Sequence, residues 1–332
     1  MSRYDEIIAL MMEKGLLSSI PAESSRGIYF HKSQLGMESS LLVVSVGRNK
    51  FNIYELRHDE KGKVILGVGK DAVVREGVDV KTGQRVAIKL YPLYEKASCP
   101  RKFEMSHYIS ELKSWIEASK VNSTLPGMFL SPIDFFLAGD KTSLTLKEKE
   151  NTNIVGFVIS EKLDMSLTGY IRKYGLISEK VKEALIELFS RHIELIENGF
   201  CYADANFDNV LIRERDSTQC FCDPISLMRI NPVLGNVGII GLQIGFAFSL
   251  SKAIMAFLGL DDDTKNESIV EKVIELVNSF VDKIIAIMEN PKSPESFRLL
   301  ITEHVTEFLS KIEEMRLGEK DQAETEKTAK PF

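Results

Sequence analysis

The sequence has few of the residues that mark disulfide-rich, zinc-binding or nucleic-acid-binding proteins. Its 332 residues include only four cysteines, which is sparse for a disulfide scaffold and favours a reduced, cytoplasmic chain. Cys220 and Cys222 form a C-x-C pair that Cys201 could join, but no fourth ligand has a suitable spacing, so we expect core packing. The net charge of −6 leaves no excess of Lys and Arg for phosphate backbones, so no nucleic-acid partner is expected.

Clear targeting and membrane signals are also missing. The N-terminus has no basic region followed by an apolar core, so we expect no secretory signal peptide. One charge-free stretch, 230–251, has the length of a membrane span, but it contains Pro232, Gln243 and four glycines. We therefore expect a buried central helix there, and no transmembrane segment.

Hydrophobic periodicity divides the chain into four parts and predicts an α+β fold. Residues 1–40 indicate an N-terminal helical extension, and 41–163 a β-rich lobe with alternating strand patterns. Residues 164–316 carry helical stripes and predict a helical lobe, while the charged segment 317–332 predicts a disordered tail. The length is sufficient for two lobes with their own cores.

A glycine-containing turn stands between two strand patterns in the β-rich part. Residues 67–74 read GVGKDAVV, and residues 86–89 read VAIK. A dinucleotide-binding fold would open a helix after these glycines and place an acid about 20 residues on. Here the strand pattern continues and the later residue is Lys89, so the sequence predicts a hairpin whose backbone can approach phosphates closely.

Three polar residues in the helical part have a spacing that suits metal and hydroxyl chemistry. Asp204 is followed five positions later by Asn209, and Asp223 follows after a length typical of a short hairpin. Such a set can hold a divalent cation and a hydroxyl nucleophile beside a phosphate. The D-x-N-x-D start also fits a calcium-binding EF-hand, but the Gly and Glu which that loop requires are replaced by Asn209 and Arg215.

Together these motifs resemble the protein-kinase superfamily. Residues 67–74 are similar to the glycine-rich loop G-x-G-x-x-G-x-V, with Ala72 for the third glycine, and 86–89 match V-A-I-K of the third strand. Residues 202–209 are similar to H-R-D-x-x-x-x-N, and Asp223 stands at the D-F-G aspartate. The resemblance implies a bilobal protein-kinase-like fold with a shortened activation segment, and phosphoryl transfer that uses ATP and Mg²⁺.

The resemblance also implies roles for individual residues. Asp204 would accept the proton of the attacking hydroxyl, and Asn209 and Asp223 would hold Mg²⁺. Lys89 would engage the phosphates that are not transferred, held by a glutamate from the following helix. The residues implied to contact the nucleotide are Gly67, Val68, Gly69, Lys70, Ala72, Val74, Ala87, Lys89, Glu161 and Leu163.

Two glutamates could pair with the lysine. Glu111 is the choice, because residues 111–115 (ELKSW) resemble the E-I-x-x-L of the family's helix. Glu104 is the alternative.

The sequence departs from the family pattern around the catalytic loop. Ala203 replaces the arginine that usually binds a phosphorylated activation loop, so conventional loop phosphorylation has no receptor. Control could instead come from an anionic small-molecule activator or a host partner bound to basic residues such as Arg213, Arg215 or Arg229. No A-P-E-like segment stands between Asp223 and the next helix.

The expected function is that of an atypical protein Ser/Thr kinase. Such reduced kinases occur among effectors that bacterial pathogens send into host cells, which would make the unidentified substrate a host protein and the chain a secreted one. The short segment after Asp223 is similar to that of aminoglycoside and choline kinases, so a small-molecule kinase is one alternative. The other is a pseudokinase that acts as a binding module.

Overall fold

The chain folds into a mixed α+β structure with a β-rich N-terminal region and helices toward the C-terminus. The computed structural model describes residues 1–20, 26–47, 50–59, 62–68, 72–93, 105–140, 154–230, 235–260, 267–289 and 294–328. The chain divides into two compact units: the first comprises 1–116 with 130–162, and the second 117–129 with 163–332.

The first unit is dominated by one sheet. Its elements are α1 (Arg3–Glu13), β1 (Arg26–Phe30), α2 (Lys32–Leu35), β2 (Ser40–Gly47), β3 (Lys50–Leu56), β4 (His58–Asp59), β5 (Gly62–Lys63), β6 (Ile65–Val68), β7 (Val73–Asp79), β8 (Arg85–Leu93), the first part of α3 (Met105–Thr124), β9 (Pro132–Asp140) and β10 (Ile154–Glu161).

Seven strands of this sheet close on themselves. The strand order is β3-β2-β1-β9-β10-β8-β7-β6, and β3 also pairs with β7. The closed barrel therefore consists of β3, β2, β1, β9, β10, β8 and β7. Strand β6 extends from β7 as an edge strand. All neighbours are antiparallel except β1 and β9, which are parallel. Closure pairs the strand edges that an open sheet would expose to solvent.

Strand β2 shows why its sequence is apolar without alternation. Leu42 and Val44 pack into the barrel interior, while Leu41 and Val43 pack outward against a cluster that includes Ile7 of α1. Because both faces are covered, the strand is buried from Ser40 to Ser45.

The first forty residues differ from the helical extension that the sequence predicts. They contain α1 and α2, but they also supply β1, which pairs with β2 on one side and β9 on the other. Their segment belongs to the first unit. Gly27 is required in β1, because a Cβ there would lie 2.7 Å from the Phe136 ring.

The second unit is mainly helical. Its elements are the end of α3, β11 (Met165–Ser166), α4 (Leu167–Tyr174), α5 (Glu179–Glu197), β12 (Phe200–Tyr202), β13 (Val210–Arg213), β14 (Thr218–Phe221), β15 (Leu227–Arg229), α6 (Gly235–Leu258), α7 (Glu267–Glu289) and α8 (Pro294–Thr328). Ser178 caps the N-terminus of α5, since its Oγ accepts a hydrogen bond from the Val181 amide.

Two of the expectations concern helices α6 and α8. Helix α8 continues to Thr328, into the stretch 317–332 for which the sequence predicts disorder; this stretch is rich in Glu, Lys and Ala, which favour helix. Within α6, the segment Gly238–Leu258 is long and apolar enough to cross a membrane. The buried share of its apolar 18-residue stretch is 28%. A single such helix is too weak a signal to define a transmembrane segment, and it is less buried than expected.

Candidate functional site

The alternation of strand β8 places Lys89 on the outer face of the barrel. Its neighbour Ile88 belongs to the interior cluster. Lys89 stands opposite Val74 of β7 on one side and Val158 of β10 on the other. Ala87, two positions earlier, lies on the same outer face. Three of the predicted site residues, Val74, Ala87 and Lys89, therefore share one face of the sheet.

Helix α3 supplies the partner of Lys89. Lys89 Nζ lies 3.0 Å from Glu111 Oε1, and the two side chains are 18% and 4% exposed. Trp115 Nε1 donates a second hydrogen bond to the same oxygen at 3.1 Å. The expected ion pair is thus present, and Glu104 lies outside the described residues. Both charges are largely withdrawn from water, so the free energy of each one depends on the opposite charge beside it.

Tyr108 fixes the position of α3 against the barrel. Its hydroxyl lies 3.1 Å from the carbonyl oxygen of Phe136 and 2.9 Å from that of Phe157. The ring packs on Gly156, where a Cβ would lie 2.6 Å from a ring carbon. Glu111 follows Tyr108 by three positions, so both side chains lie on the same face of α3. The contacts of Tyr108 therefore hold this face, and with it Glu111, toward the sheet that carries Lys89.

The glycine turn lies at the edge of the same sheet. Gly67 stands opposite Val74, and Val68 opposite Val73, while Ala72 is buried. Gly69 and Lys70 lie outside the described residues. A Cβ built on Gly67 would meet no atom within 4 Å, so packing within the described chain does not require glycine at this position.

Glu161 and Leu163, which the resemblance implies to contact the nucleotide, fall on either side of the division into units. Glu161 ends β10 opposite Val86 in the first unit, and Leu163 is a buried residue of the second. The amide of Lys162 donates to the Arg85 carbonyl at 3.2 Å. The division at 162/163 lies one residue before the predicted boundary at 163/164.

In the second unit, the loop 203–209 brings two predicted residues together. Asn209 Nδ2 donates a hydrogen bond to Asp204 Oδ2 at 2.7 Å. The Asn206 side chain accepts from the amide of Asp208 at 3.1 Å and starts the short 3₁₀ turn that carries Asn209. With its amide nitrogen engaged, Asn209 directs its carbonyl oxygen away from Asp204.

Hairpin pairing carries Asp223 to the same place. Strands β13 and β14 pair Val210 with Phe221, and the Cys222 amide donates to the Asn209 carbonyl at 2.9 Å. Asp223 follows directly and has φ 63° and ψ 67°, the left-handed region that non-glycine residues rarely adopt. The three residues Asp204, Asn209 and Asp223 are therefore grouped at one end of this hairpin.

Tyr202 supports this group, a role that no sequence pattern predicts. Its buried hydroxyl lies 2.8 Å from the Cys222 carbonyl and 3.2 Å from the Asp223 carbonyl. Burial, followed by the charges of Cys222, Asp204 and Asp223, raises the pKa of Tyr202 well above its usual value. The neutral phenol remains a donor and holds the strained backbone of Asp223.

Helix α6 packs closely against the loop through glycines. A Cβ on Gly241 would lie 2.9 Å from the Ala203 Cβ, and one on Gly245 would lie 3.0 Å from the Ala205 nitrogen. Ser249 Oγ, one turn further, accepts from the Phe207 amide at 3.2 Å. The 203–209 loop therefore packs directly against the backbone of α6 along one face of the helix.

The side chains of Asp204, Asn209 and Asp223 suit a magnesium ion chemically. Asp204 and Asp223 offer carboxylate oxygens and Asn209 an amide oxygen, and Mg²⁺ prefers hard oxygen ligands in small numbers, completed by water and substrate phosphates. Asn209 and Asp223 would be the ligands.

The sequence matches no protein-family model, and no curated protein matches it. The residues and their geometry are therefore the whole basis for a function.

Proposed function

We propose that this chain is an ATP- and Mg²⁺-dependent phosphotransferase with a bilobal protein-kinase-like fold and a shortened activation segment. The observation that carries the proposal is the ion pair between Lys89 on strand β8 and Glu111 on helix α3, at 3.0 Å. A strand lysine held by a helix glutamate is the arrangement that protein kinases need in their active state.

The surroundings of Lys89 support nucleotide binding on the outer face of the barrel. Val74 and Ala87 provide small apolar side chains beside Lys89, and they suit the planar face of a base. The glycine turn begins at Gly67, where the backbone has open space. Glu111 holds the ammonium group of Lys89 in one place, so it can act as a fixed point charge for phosphate oxygens.

The residues of the 203–209 loop support the chemistry of transfer. Asp204, oriented by the hydrogen bond from Asn209, accepts the proton of the acceptor hydroxyl. Asn209 and Asp223 hold Mg²⁺ through their side-chain oxygens. When bound, the metal neutralises charge on the phosphate oxygens. Tyr202 keeps the backbone of Asp223 in its unusual conformation, so that the Asp223 carboxylate stays in position to bind the metal.

The preferred acceptor is a protein Ser or Thr hydroxyl. One observation favours a small-molecule acceptor instead: Leu227–Arg229 turns back at once to pair with β12, and α6 begins at Gly235. This leaves little chain after Asp223 for a peptide-docking segment. A panel of generic proteins, aminoglycosides and choline-like alcohols distinguishes the two acceptor classes.

The test is single-turnover transfer from ATP, including autophosphorylation, by the wild type and two variants. Asp204→Ala should lower the rate by about 10²-fold or more, since general-base catalysis contributes about 10²–10⁴-fold. Glu183→Gln, an exposed acid on α5, should transfer at the wild-type rate. Equal rates for Asp204→Ala and wild type would refute the proposal. Stabilisation by ATP and Mg²⁺ without any transfer would instead indicate a binding module.

A further inference from the structure

A cavity of about 500 Å³ lies in the second unit beside the 203–209 loop. This volume falls within the range of small-molecule pockets, about 300–1,000 Å³. The residues of the loop that line it are Asn206, Phe207 and Asp208. The rest of the wall comes from helices α4, α6 and α8, together with Gly175 and Leu176, which follow α4.

Three cations from three different helices converge on this cavity. Arg172 comes from α4, Lys252 from α6 and Arg316 from α8. Among the described residues that line it, the only acid is Asp208. The cavity is thus positive although the chain carries a net charge of −6, and a cleft lined by one sign of charge concentrates ligands of the opposite sign.

These cations differ from the arginines that the sequence suggested for an anionic activator. Arg213 and Arg215 each lie 3.5 Å from Asp216, and Arg229 lies 3.5 Å from Glu117. Within the described part of the chain, no acidic side chain forms an ion pair with a cation of the cavity. Arg316 is instead placed by stacking, with its Cζ 4.9 Å from the Phe257 ring centroid.

Most of the remaining wall is apolar, although Thr168, Asn206 and Ser249 also line it. Leu176 and Phe207 are buried at the cavity, whereas Phe248 is 62% exposed. Ile244 lies one turn and Ile240 two turns before Phe248, and both are also more than half exposed. Their four-residue spacing places all three on one face of α6, so an apolar stripe continues from the cavity along the helix.

We propose that this cavity binds an anionic amphiphile, a molecule with a phosphate or carboxylate head group joined to an apolar body. Arg172, Lys252 and Arg316 bind the head group, and Phe248 with the adjoining stripe covers the apolar body. A small anion alone would leave the apolar wall in contact with water, and a neutral apolar ligand would leave the cations unused. The inference goes beyond the proposed function and does not rest on it.

The test is calorimetric titration with dodecyl phosphate in the absence of ATP. Wild type should bind dodecyl phosphate, while inorganic phosphate and dodecyl maltoside should each bind at least about tenfold more weakly, because each lacks one half of the interaction. The triple variant Arg172→Gln/Lys252→Gln/Arg316→Gln should lose about tenfold or more in affinity. Phe248→Ser should also weaken binding.

A matched control removes three cations elsewhere. The variant Lys14→Gln/Lys81→Gln/Lys113→Gln carries the same change in net charge at exposed positions outside the cavity, and it should bind like wild type. Thermal unfolding shows whether each variant is folded. Equal affinity of the cavity variant and the control variant would overturn the proposal, as would equal binding of dodecyl maltoside and dodecyl phosphate.

Vesicles distinguish the two sources of such a ligand. Co-sedimentation with phosphatidylcholine vesicles only when they contain phosphatidic acid, lost in the cavity variant, assigns the head group to a membrane lipid. Dodecyl phosphate binding without co-sedimentation assigns it to a free amphiphile. A chain that binds dodecyl phosphate but transfers no phosphate would refute the proposed function alone.

Discussion

The side-chain amide of Asn209 donates to the Asp204 carboxylate at 2.7 Å. This hydrogen bond couples a carboxylate to the neutral residue five positions later, and it determines which end of the Asn209 amide faces away. The contact therefore orients both the Asp204 carboxylate and the Asn209 amide. Its role can be tested by substitutions that change the charge at position 209 and by measurements of activity.

Replacing Asn209 with aspartate should create a pH-dependent loss of stability. Two carboxylates at this distance repel, which raises the pKa of one of them in the folded state. The deficit relative to wild type should therefore grow as the pH rises from about 4, and reach about 1–2 kcal/mol near neutrality. Thermal unfolding across this pH range measures it.

Asn209→Ala is the control for that experiment. It removes the amide donor without adding a charge, so its loss of stability should change little with pH. Parallel pH curves for Asn209→Asp and wild type would contradict the predicted repulsion.

Glu111→Gln should weaken both stability and phosphate transfer. Glutamine can still accept the hydrogen bond from Trp115 Nε1, but it leaves the ammonium of the largely buried Lys89 without its carboxylate. We expect a loss of about 1–3 kcal/mol in the free energy of unfolding and a transfer rate at least about tenfold lower. Urea unfolding and single-turnover kinetics measure the two effects.

Glu111→Ala separates the charge from the second hydrogen bond. It removes the acceptor of Trp115 as well, so it should be less stable than Glu111→Gln. If Glu111→Gln were as stable and as active as wild type, the ion pair would have no role in either property.

His192 should make the protein sensitive to acid. The ring is fully buried among Tyr202, Phe221 and Phe246, and burial lowers its pKa from 6.5 to about 4. Between these values the unfolded chain binds a proton that the folded chain does not, so stability falls as the pH drops from 6.5 toward 4. The loss should approach about 3 kcal/mol.

His192→Phe tests this effect because phenylalanine fills the aromatic cluster but cannot titrate. Urea unfolding at several pH values between 4 and 7 should show a shallower loss for the variant than for wild type. Curves of equal slope would exclude His192 as the source.

Gly241→Ala should be destabilising, although alanine favours helix. The new Cβ would lie 2.9 Å from the Ala203 Cβ and 3.2 Å from the Ala203 carbonyl oxygen, so α6 and the 203–209 loop must separate. We expect a loss of about 1–3 kcal/mol together with slower phosphate transfer, measured by thermal unfolding and single-turnover kinetics.

Gly169→Ala in α4 is the matched substitution with space for the methyl group. Its Cβ would lie 3.4 Å from the nearest atom, Met165 Cβ, so the gain in helix propensity should be retained, about 0.5–1 kcal/mol. A similar change in stability for both variants would show that the close contact between Gly241 and Ala203 does not determine the effect of an added methyl group in α6.

The elements that could be predicted from the sequence have local signals. The resemblance of residues 86–89 and 111–115 to kinase motifs predicts the pair of Lys89 and Glu111, with Glu104 as the alternative, and the five-residue spacing connects Asp204 with Asn209. Strand β1 could not be predicted, because it is short and contains Gly27, and its partner β9 is more than a hundred residues away. Closure of the barrel depends on that long-range pairing.

Contacts that converge from distant positions were also beyond the sequence. The role of Tyr202 depends on two carbonyls about twenty residues further on, and no pattern of side chains records a backbone acceptor. The cations of the cavity come from α4, α6 and α8, so they have no common spacing. Such sites arise only when the helices pack.

Trp115 is the only tryptophan in the chain, and its indole N–H is bonded to the carboxylate that holds Lys89. When tryptophan is excited selectively, without the nine tyrosines, the emission therefore comes from one ring whose surroundings change with the charge on that carboxylate. Any ligand that draws Lys89 toward its phosphates would alter the emission. The fold thus contains an optical probe at the lysine, with no label added.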